Sequence, residues 1–229
     1  GQQLPAQAAV LLETEGGRVL LEKNPDTPLA PASVTKVMTL LLVMEALDQG
    51  QLALDQEAVC SEHAASMGGS QIWLEPGERM TVEDLLKATA IASANDASVA
   101  LAELIAGSEG AFVERMNQRA QELGMENTHF ENATGLDAEG HLSTARDIAI
   151  MSRALLAHPK IKDYSTVWMD TLRDGQTQLV NTNKLVRFYE GCTGLKTGTT
   201  DAAGSCLAGS GQGDGLDLVG VVLRSPSSD

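Results

Sequence analysis

The stretch Ala32–Leu42, ASVTKVMTLLL, sets a serine and a lysine three residues apart at the start of an apolar helix. Residues i and i+3 share one helix face, so the Lys36 amine can reach the Ser33 hydroxyl. A serine hydroxyl is a weak nucleophile until a neighbouring base takes its proton. A lysine becomes that base only where burial or a second cation lowers its pKa toward neutrality. In the first helical turn, free backbone N–H groups can also hold a developing oxyanion. The plainer reading makes Ser33 an N-cap and Lys36 a solvated residue. Fifteen serines and seven lysines in 229 residues give about 0.5 chance occurrences of Ser-x-x-Lys, so the pair needs companions.

Upstream, AAVLLETEGGRVLLEKN reads as two apolar strands around Gly16-Gly17, a hairpin signal. Downstream, Val37, Leu40, Leu41, Met44 and Leu47 fall on one helical stripe that DQG ends. Thr81-Val-Glu-Asp84 is a capping box opening the helix TVEDLLKATAIA. After a break at SAND come helices over ASVALAELIAG and AFVERMNQRAQELG, the latter closed by Gly124. A second capping box, Thr144-Ala-Arg-Asp147, starts ARDIAIMSRALLAHP, which Pro159 stops. From about residue 164 the texture turns to strands: YSTVWMDTL and QTQLVNTN around Asp174-Gly175, then TGLKTGTT, GSCLAGSG and LDLVGVVL.

Strands at both ends with helices between predict an α/β (α+β) fold. One antiparallel sheet is assembled from both termini with flanking helices, and an all-helical lobe is inserted in it. The expected organisation is a single domain over 1–229, with sheet from 1–58 and 176–229 and a mainly helical lobe over 59–175.

Composition narrows the function. Hydrophobic residues are 43% and charged residues 21%, enough for a packed core, while a net charge of -15 and 3% aromatics disfavour nucleic acid as a partner. The same charge works against unaided adhesion to an anionic bilayer. The longest apolar run, Val37–Met44, is too short for a membrane span. No charged-then-apolar signal segment opens the chain, and GQQLPAQ reads as the polar start of a trimmed or mature product. Cys60, Cys192 and Cys206 read as unpaired thiols, with one bridge left open. His63, His129, His141 and His158 lack ligand spacing, so neither a metal nor a cofactor is expected.

Two companions for Ser33 and Lys36 lie further along. SAN, Ser93–Asn95, places a hydroxyl and an amide two apart on an interhelical link, where both can face a cleft; the alternative is helix capping. GLKTGTT, Gly194–Thr200, places Lys196 and Thr197 on a strand, with Gly198 removing a side chain where a substrate backbone must approach. A phosphate-cradling loop would need glycine directly before Lys-Thr, and Leu195 stands there.

In this order and context, Ser-x-x-Lys, Ser-x-Asn and Lys-Thr-Gly form the known signature set of the penicillin-recognising serine enzymes. The chain resembles their D-alanyl-D-alanine carboxypeptidase branch, the low-molecular-mass penicillin-binding proteins of serine peptidase family S11. The segments GGSQIWLEPGERMTVEDLLKATAIASANDAS, FVERMNQRAQELGM, THFENATGLD, STARDIA and GLKTGTTDAAGSCL carry the likeness over nearly the whole length.

The resemblance implies a β-lactamase/transpeptidase-like fold and a serine-type carboxypeptidase acting on peptidoglycan stem peptides that end in D-Ala-D-Ala, inhibited by β-lactams. Ser33 would be the acylated nucleophile and Lys36 its base. Ser93 would pass a proton to the leaving nitrogen, and Asn95 would hold Lys36 and the substrate amide. Lys196 and Thr197 would bind the terminal carboxylate. The N–H groups of Ser33 and Thr199 would form the oxyanion hole, beside Gly198. Action outside the cytoplasmic membrane is implied. The family's C-terminal β domain and membrane anchor are not expected in a chain ending VVLRSPSSD.

The rival readings are a β-lactamase and a non-catalytic β-lactam sensor. A class A β-lactamase would need a Glu-x-x-Leu-Asn segment to position water, and neither Glu126 nor Glu131 begins one. All three motifs are complete, which disfavours a vestigial sensor. An α/β-hydrolase esterase would need Gly-x-Ser-x-Gly, which does not occur.

Overall fold

A computed structural model describes residues 6–213 and 215–225; the opening residues 1–5 and closing residues 226–229 of the stretches read above lie outside the described residues. The chain begins with an antiparallel pair, β1 (Ala8–Glu13) and β2 (Val19–Lys23). A 3₁₀ turn (Ala32–Thr35) runs into α1 (Lys36–Asp48), followed by β3 (Glu57–Val59), α2 (Glu62–Ala65) and β4 (Arg79–Thr81). Helices α3 (Val82–Ala92), α4 (Asn95–Ala106), α5 (Glu109–Glu122) and α6 (Ala145–Leu156) come next, then the short α7 (Lys162–Ser165). A ribbon of β5 (Met169–Leu172) and β6 (Thr177–Val180) and the turn α8 (Leu185–Phe188) lead to β7 (Cys192–Thr200), β8 (Gly204–Gly213) and β9 (Leu216–Ser225).

The main sheet has the order β2-β1-β9-β8-β7. Strand β9 pairs with β1, antiparallel, with Val10 opposite Val221, so the two ends of the chain close one sheet across the middle. This is the architecture that strands at both ends predict. Strand β7, which carries Lys196, therefore lies at the edge, with no strand beyond it among the described residues.

The helix starts follow the capping chemistry. Thr81 accepts the N–H of Asp84, and Thr144 accepts that of Asp147. Ser108 caps α5 in the same way. The expected stripe on α1 is too narrow a description: Met38, Thr39, Val43 and Ala46 are buried as well as Val37, Leu40, Leu41 and Met44. Such a helix is surrounded on all sides, and its first residue, Lys36, is buried with it.

Three expectations need correction. The lobe is not all helical, because β3–β4 and β5–β6 are separate two-stranded ribbons. Residues 177–180 pair only with 169–172, so the C-terminal part of the main sheet starts at Cys192 and not at 176. Tyr164 and Ser165 form a helical turn instead of opening a strand, since both are buried and anchored. The Tyr164 hydroxyl donates to Glu83 at 2.9 Å, and the Ser165 hydroxyl donates to the Thr193 carbonyl. All three cysteines are free thiols.

Candidate active site

Three remote segments meet around one amine. Lys36 Nζ lies 3.1 Å from Ser33 Oγ, 3.2 Å from Ser93 Oγ, 2.7 Å from Asn95 Oδ1 and 2.9 Å from the Thr134 carbonyl oxygen. The side chain is fully buried, and its pKa falls well below 10.5, first from burial and second from the charge of Lys196. A neutral amine has two N–H donors and one lone pair. Asn95 Oδ1 and the Thr134 carbonyl can only accept, so they take the two N–H bonds. The lone pair is then left for a hydroxyl proton from Ser33 or Ser93. This geometry is the one a lysine base requires.

Each partner is held from behind. Asn95 donates its Nδ2 to the Gly68 carbonyl at 2.8 Å, and its backbone N–H to Ser70 at 2.7 Å, which fixes which amide atom faces Lys36. Asp96, fully buried, accepts the N–H groups of Ile72 and Leu74 at 3.1 and 2.9 Å and so pins the same loop. Ser93 ends α3 in the left-handed region at φ 58, a conformation that turns its hydroxyl out of the helix at a cost on the order of 1 kcal/mol. The Thr134 carbonyl is oriented by Asn132, whose Oδ1 accepts the N–H groups of Thr134 and Gly135 at 3.2 and 2.8 Å.

Lys196 enters from β7. It is also buried, its Nζ has no hydrogen-bond partner among the described residues, and burial lowers its pKa to about 7. An unpartnered buried amine is costly, and such a group fits an anion that arrives from outside. Next to it, Thr197 Oγ1 lies 3.0 Å from Thr182 Oγ1. Thr199 pairs with Ser205 of β8, while Thr200 donates to Asp137 at 2.7 Å and ties the strand's end to the loop after Gly135.

Gly198 proves small for a reason the sequence did not show. A Cβ there would stand 2.5 Å from the Ser33 backbone nitrogen, so it is the protein's own nucleophile turn that presses on the strand. Gly135 closes the turn from the other side: at φ +90, its Cβ would stand 1.8 Å from the Ala32 carbonyl oxygen. The structure thus groups Ser33, Lys36, Ser93 and Asn95 by direct contact, and it sets Gly198 against Ser33 and Lys196 within electrostatic reach of Lys36. It adds Thr134, Gly135 and Thr182, to which the sequence gave no role, and Asp96, which read only as a helix cap. NATG and the aspartate after SAN were visible as motifs, but a carbonyl acceptor leaves no residue-type signal.

A serine hydroxyl touching a buried lysine, with a second buried lysine on an edge strand, is the arrangement that serine acyl-transfer sites use. The family model for D-alanyl-D-alanine carboxypeptidase, peptidase S11, matches residues 1–227, and the chain belongs to that family. It is 52% identical over 221 residues to the D-alanyl-D-alanine carboxypeptidase DacF of Bacillus subtilis, covering 95% of this chain and 57% of the relative. It is 38% identical to DacC of Escherichia coli, over 95% of this chain and 56% of that protein. The chain thus spans somewhat more than half the length of these curated relatives. Among solved structures, DacD of Francisella tularensis superposes with a TM-score of 0.93 at 32% identity, over 99% of this chain and 67% of that one. Penicillin-binding protein D2 of Listeria monocytogenes, solved in a cefotaxime-bound form, gives 0.89 at 33% identity, over 99% and 92%.

Proposed function

We infer that this chain is the catalytic unit of a serine-type D-Ala-D-Ala carboxypeptidase, its sheet from both termini and its mainly helical lobe working as one domain. Ser33 Oγ attacks the carbonyl of the penultimate D-alanine while its proton passes to Lys36 Nζ. The tetrahedral oxyanion lies between the N–H groups of Ser33 and Thr199. Ser93 hands a proton to the departing D-alanine nitrogen as the C–N bond breaks. Asn95 keeps Lys36 in register and binds the substrate amide. Lys196 and Thr197 hold the terminal carboxylate, and Gly198 lets the strand lie against the nucleophile. Water then cleaves the acyl-enzyme and regenerates the Ser33 hydroxyl.

The carrying observation is the hydrogen-bond count at Lys36: two acceptors on the N–H groups leave a lone pair beside Ser33. The unpaired Lys196 supports a carboxylate-bearing substrate. A peptide laid along β7 gains main-chain bonds from its open edge, and a β-lactam offers a comparable carbonyl and carboxylate. A substrate drawn from peptidoglycan supports action outside the cytoplasmic membrane. Among the described residues no helix is long and apolar enough to cross a membrane. A β-lactamase reading gains no support from Glu131, whose carboxylate is exposed and bonded to His129 at 3.0 Å. The test is labelling by a fluorescent penicillin and release of D-alanine from a peptide ending in D-Ala-D-Ala. Both are expected from the native chain and neither from Ser33→Ala; equal labelling of the two overturns the assignment.

A further inference from the structure

The chain has seven aromatic residues, two Trp, two Tyr and three Phe. Phe112, Phe130 and Tyr164 are buried in the core. The other four are Trp73, Trp168, Phe188 and Tyr189, all of them at least partly exposed, and they lie on two segments only, 66–78 and 168–190. Both segments are bonded to the site. The first gives its Gly68 and Ser70 carbonyls to Asn95, and the second reaches Thr197 through Thr182. Arg173 joins the two segments, donating to the Ile72 carbonyl at 2.6 Å, to Glu78 at 2.8 Å and to Thr177 at 2.9 Å. The solvent-facing aromatics of this protein thus sit in two groups, on segments that each border the site and are joined through Arg173; together they are its aromatic rim.

Trp73 is presented deliberately. Its neighbours on both sides are pinned to Asp96, its own backbone is left-handed at φ 58, and its side chain stands 74% exposed. A bulky residue in that conformation is strained, and a strained residue that buries nothing is held for something outside the molecule. Across the rim, the Arg187 guanidinium lies 5.1 Å from the Trp168 ring centre and 5.2 Å from that of Phe188. The ion pairs of the described residues do not include Arg187. Phe188 and Tyr189 are each 65% exposed.

We propose that this aromatic rim is a carbohydrate-binding platform that seats the glycan strand to which the stem peptide is attached. A pyranose ring offers an apolar face of C–H groups that packs on an indole or phenyl face, and its hydroxyls accept from a guanidinium held flat by stacking. Polyanionic wall polymers and anionic lipid are disfavoured by the net charge of -15. The proposal rests on the functional reading above for its substrate. The rim would bind glycan-linked peptides more tightly than free ones, without touching the reacting atoms.

The experiment compares kcat/KM for a disaccharide-linked pentapeptide with that for the same pentapeptide without sugar. The ratio should fall about tenfold in Trp73→Ala and in Arg187→Ala, the scale of one lost stacking contact, and stay at the native value in Leu20→Ala, an exposed apolar site on β2. In parallel, peptide-free glycan oligosaccharides are titrated against the intrinsic fluorescence of the two tryptophans; a saturable change, lost in Trp73→Ala, is expected. An unchanged ratio, no saturable change, or a rim that binds lipid vesicles and not glycan overturns the proposal. If the native chain releases D-alanine from neither peptide, the functional reading fails and the glycan titration alone decides this one.

Discussion

Lys36 and Lys196 are two amines buried in one site, and among the described residues only Lys36 finds hydrogen-bond partners. Each pushes toward neutrality, the first well below 10.5 and the second to about 7. Their proposed tasks differ: Lys36 must be neutral to accept a proton, while Lys196 must be charged to hold a carboxylate.

A bell-shaped pH profile of kcat/KM follows. The acid limb is the deprotonation of Lys36, and the alkaline limb is the loss of charge on Lys196, expected near pH 7 in the free protein. A bound carboxylate favours the charged form, so the alkaline limb of kcat moves upward relative to that of kcat/KM. Coincident alkaline limbs in steady-state profiles would contradict the role of Lys196.

Lys196→Met should remove D-alanine release and raise stability. Among the described residues the buried amine has no protein partner, a cost on the order of 1–3 kcal/mol or more, and a thioether of similar length fills the space. The sign with pH is fixed by linkage. Folded Lys196 loses its proton at about 7 and unfolded Lys196 near 10.5, so the unfolded chain binds more protons in that window and native stability rises with pH across it. The variant's advantage should therefore be largest below about pH 7 and shrink toward 10.5. Thermal melts across pH test this; a variant less stable than the native chain at pH 6 would refute it.

Lys36→Arg keeps the positive charge but cannot lose a proton. Acylation by penicillin should drop by about 10²–10⁴, the usual contribution of a positioned base. Stopped-time labelling measures it, with circular dichroism to confirm the fold.

Gly198→Ala and Gly135→Ala place a methyl against the nucleophile turn, 2.5 Å from the Ser33 nitrogen and 1.8 Å from the Ala32 carbonyl oxygen. Both should displace Ser33 from Lys36. Gly135→Ala should be the more damaging, since φ +90 adds backbone strain. Labelling rates at least about 10²-fold below native are expected, because misplacement by about 1 Å costs that much. Native rates in both would show that the turn adapts.

His141 should set an acid limit to stability. Its Nδ1 accepts the Glu131 N–H at 2.9 Å, so its Nε2 carries the proton and donates to Thr35 Oγ1 at 2.8 Å. Burial holds its pKa at about 4. The folded state stays neutral while unfolded chains protonate below about 6.5, so stability declines as pH falls from 6.5 toward 4. Urea titrations at pH 7 and 4.5 should show a loss of a few kcal/mol at most, and a smaller one in His141→Gln.

Much of the site was legible because its chemistry is carried by residue types in short spacings. Ser33 and Lys36 are one helical turn apart, and Ser93 and Asn95 flank a helix break that the sequence marks. The strands at both ends foretold the sheet that joins the two termini. What escaped was backbone: the Thr134 carbonyl at 2.9 Å from Lys36 has no signature of its own. The β5–β6 ribbon escaped too, since a short strand's local pattern does not say which sheet it joins. Asp96 read as a helix cap, because its bonds to Ile72 and Leu74 span more than twenty positions.

Strand β7 stands at the border of the sheet, with no further strand beyond it among the described residues. A receptor for extended guests cannot choose them by backbone alone, since every unfolded polypeptide carries the same groups. Discrimination at this margin falls to side chains and to the one buried charge beside them. In a crowded preparation, two copies meeting margin to margin would each blind the other.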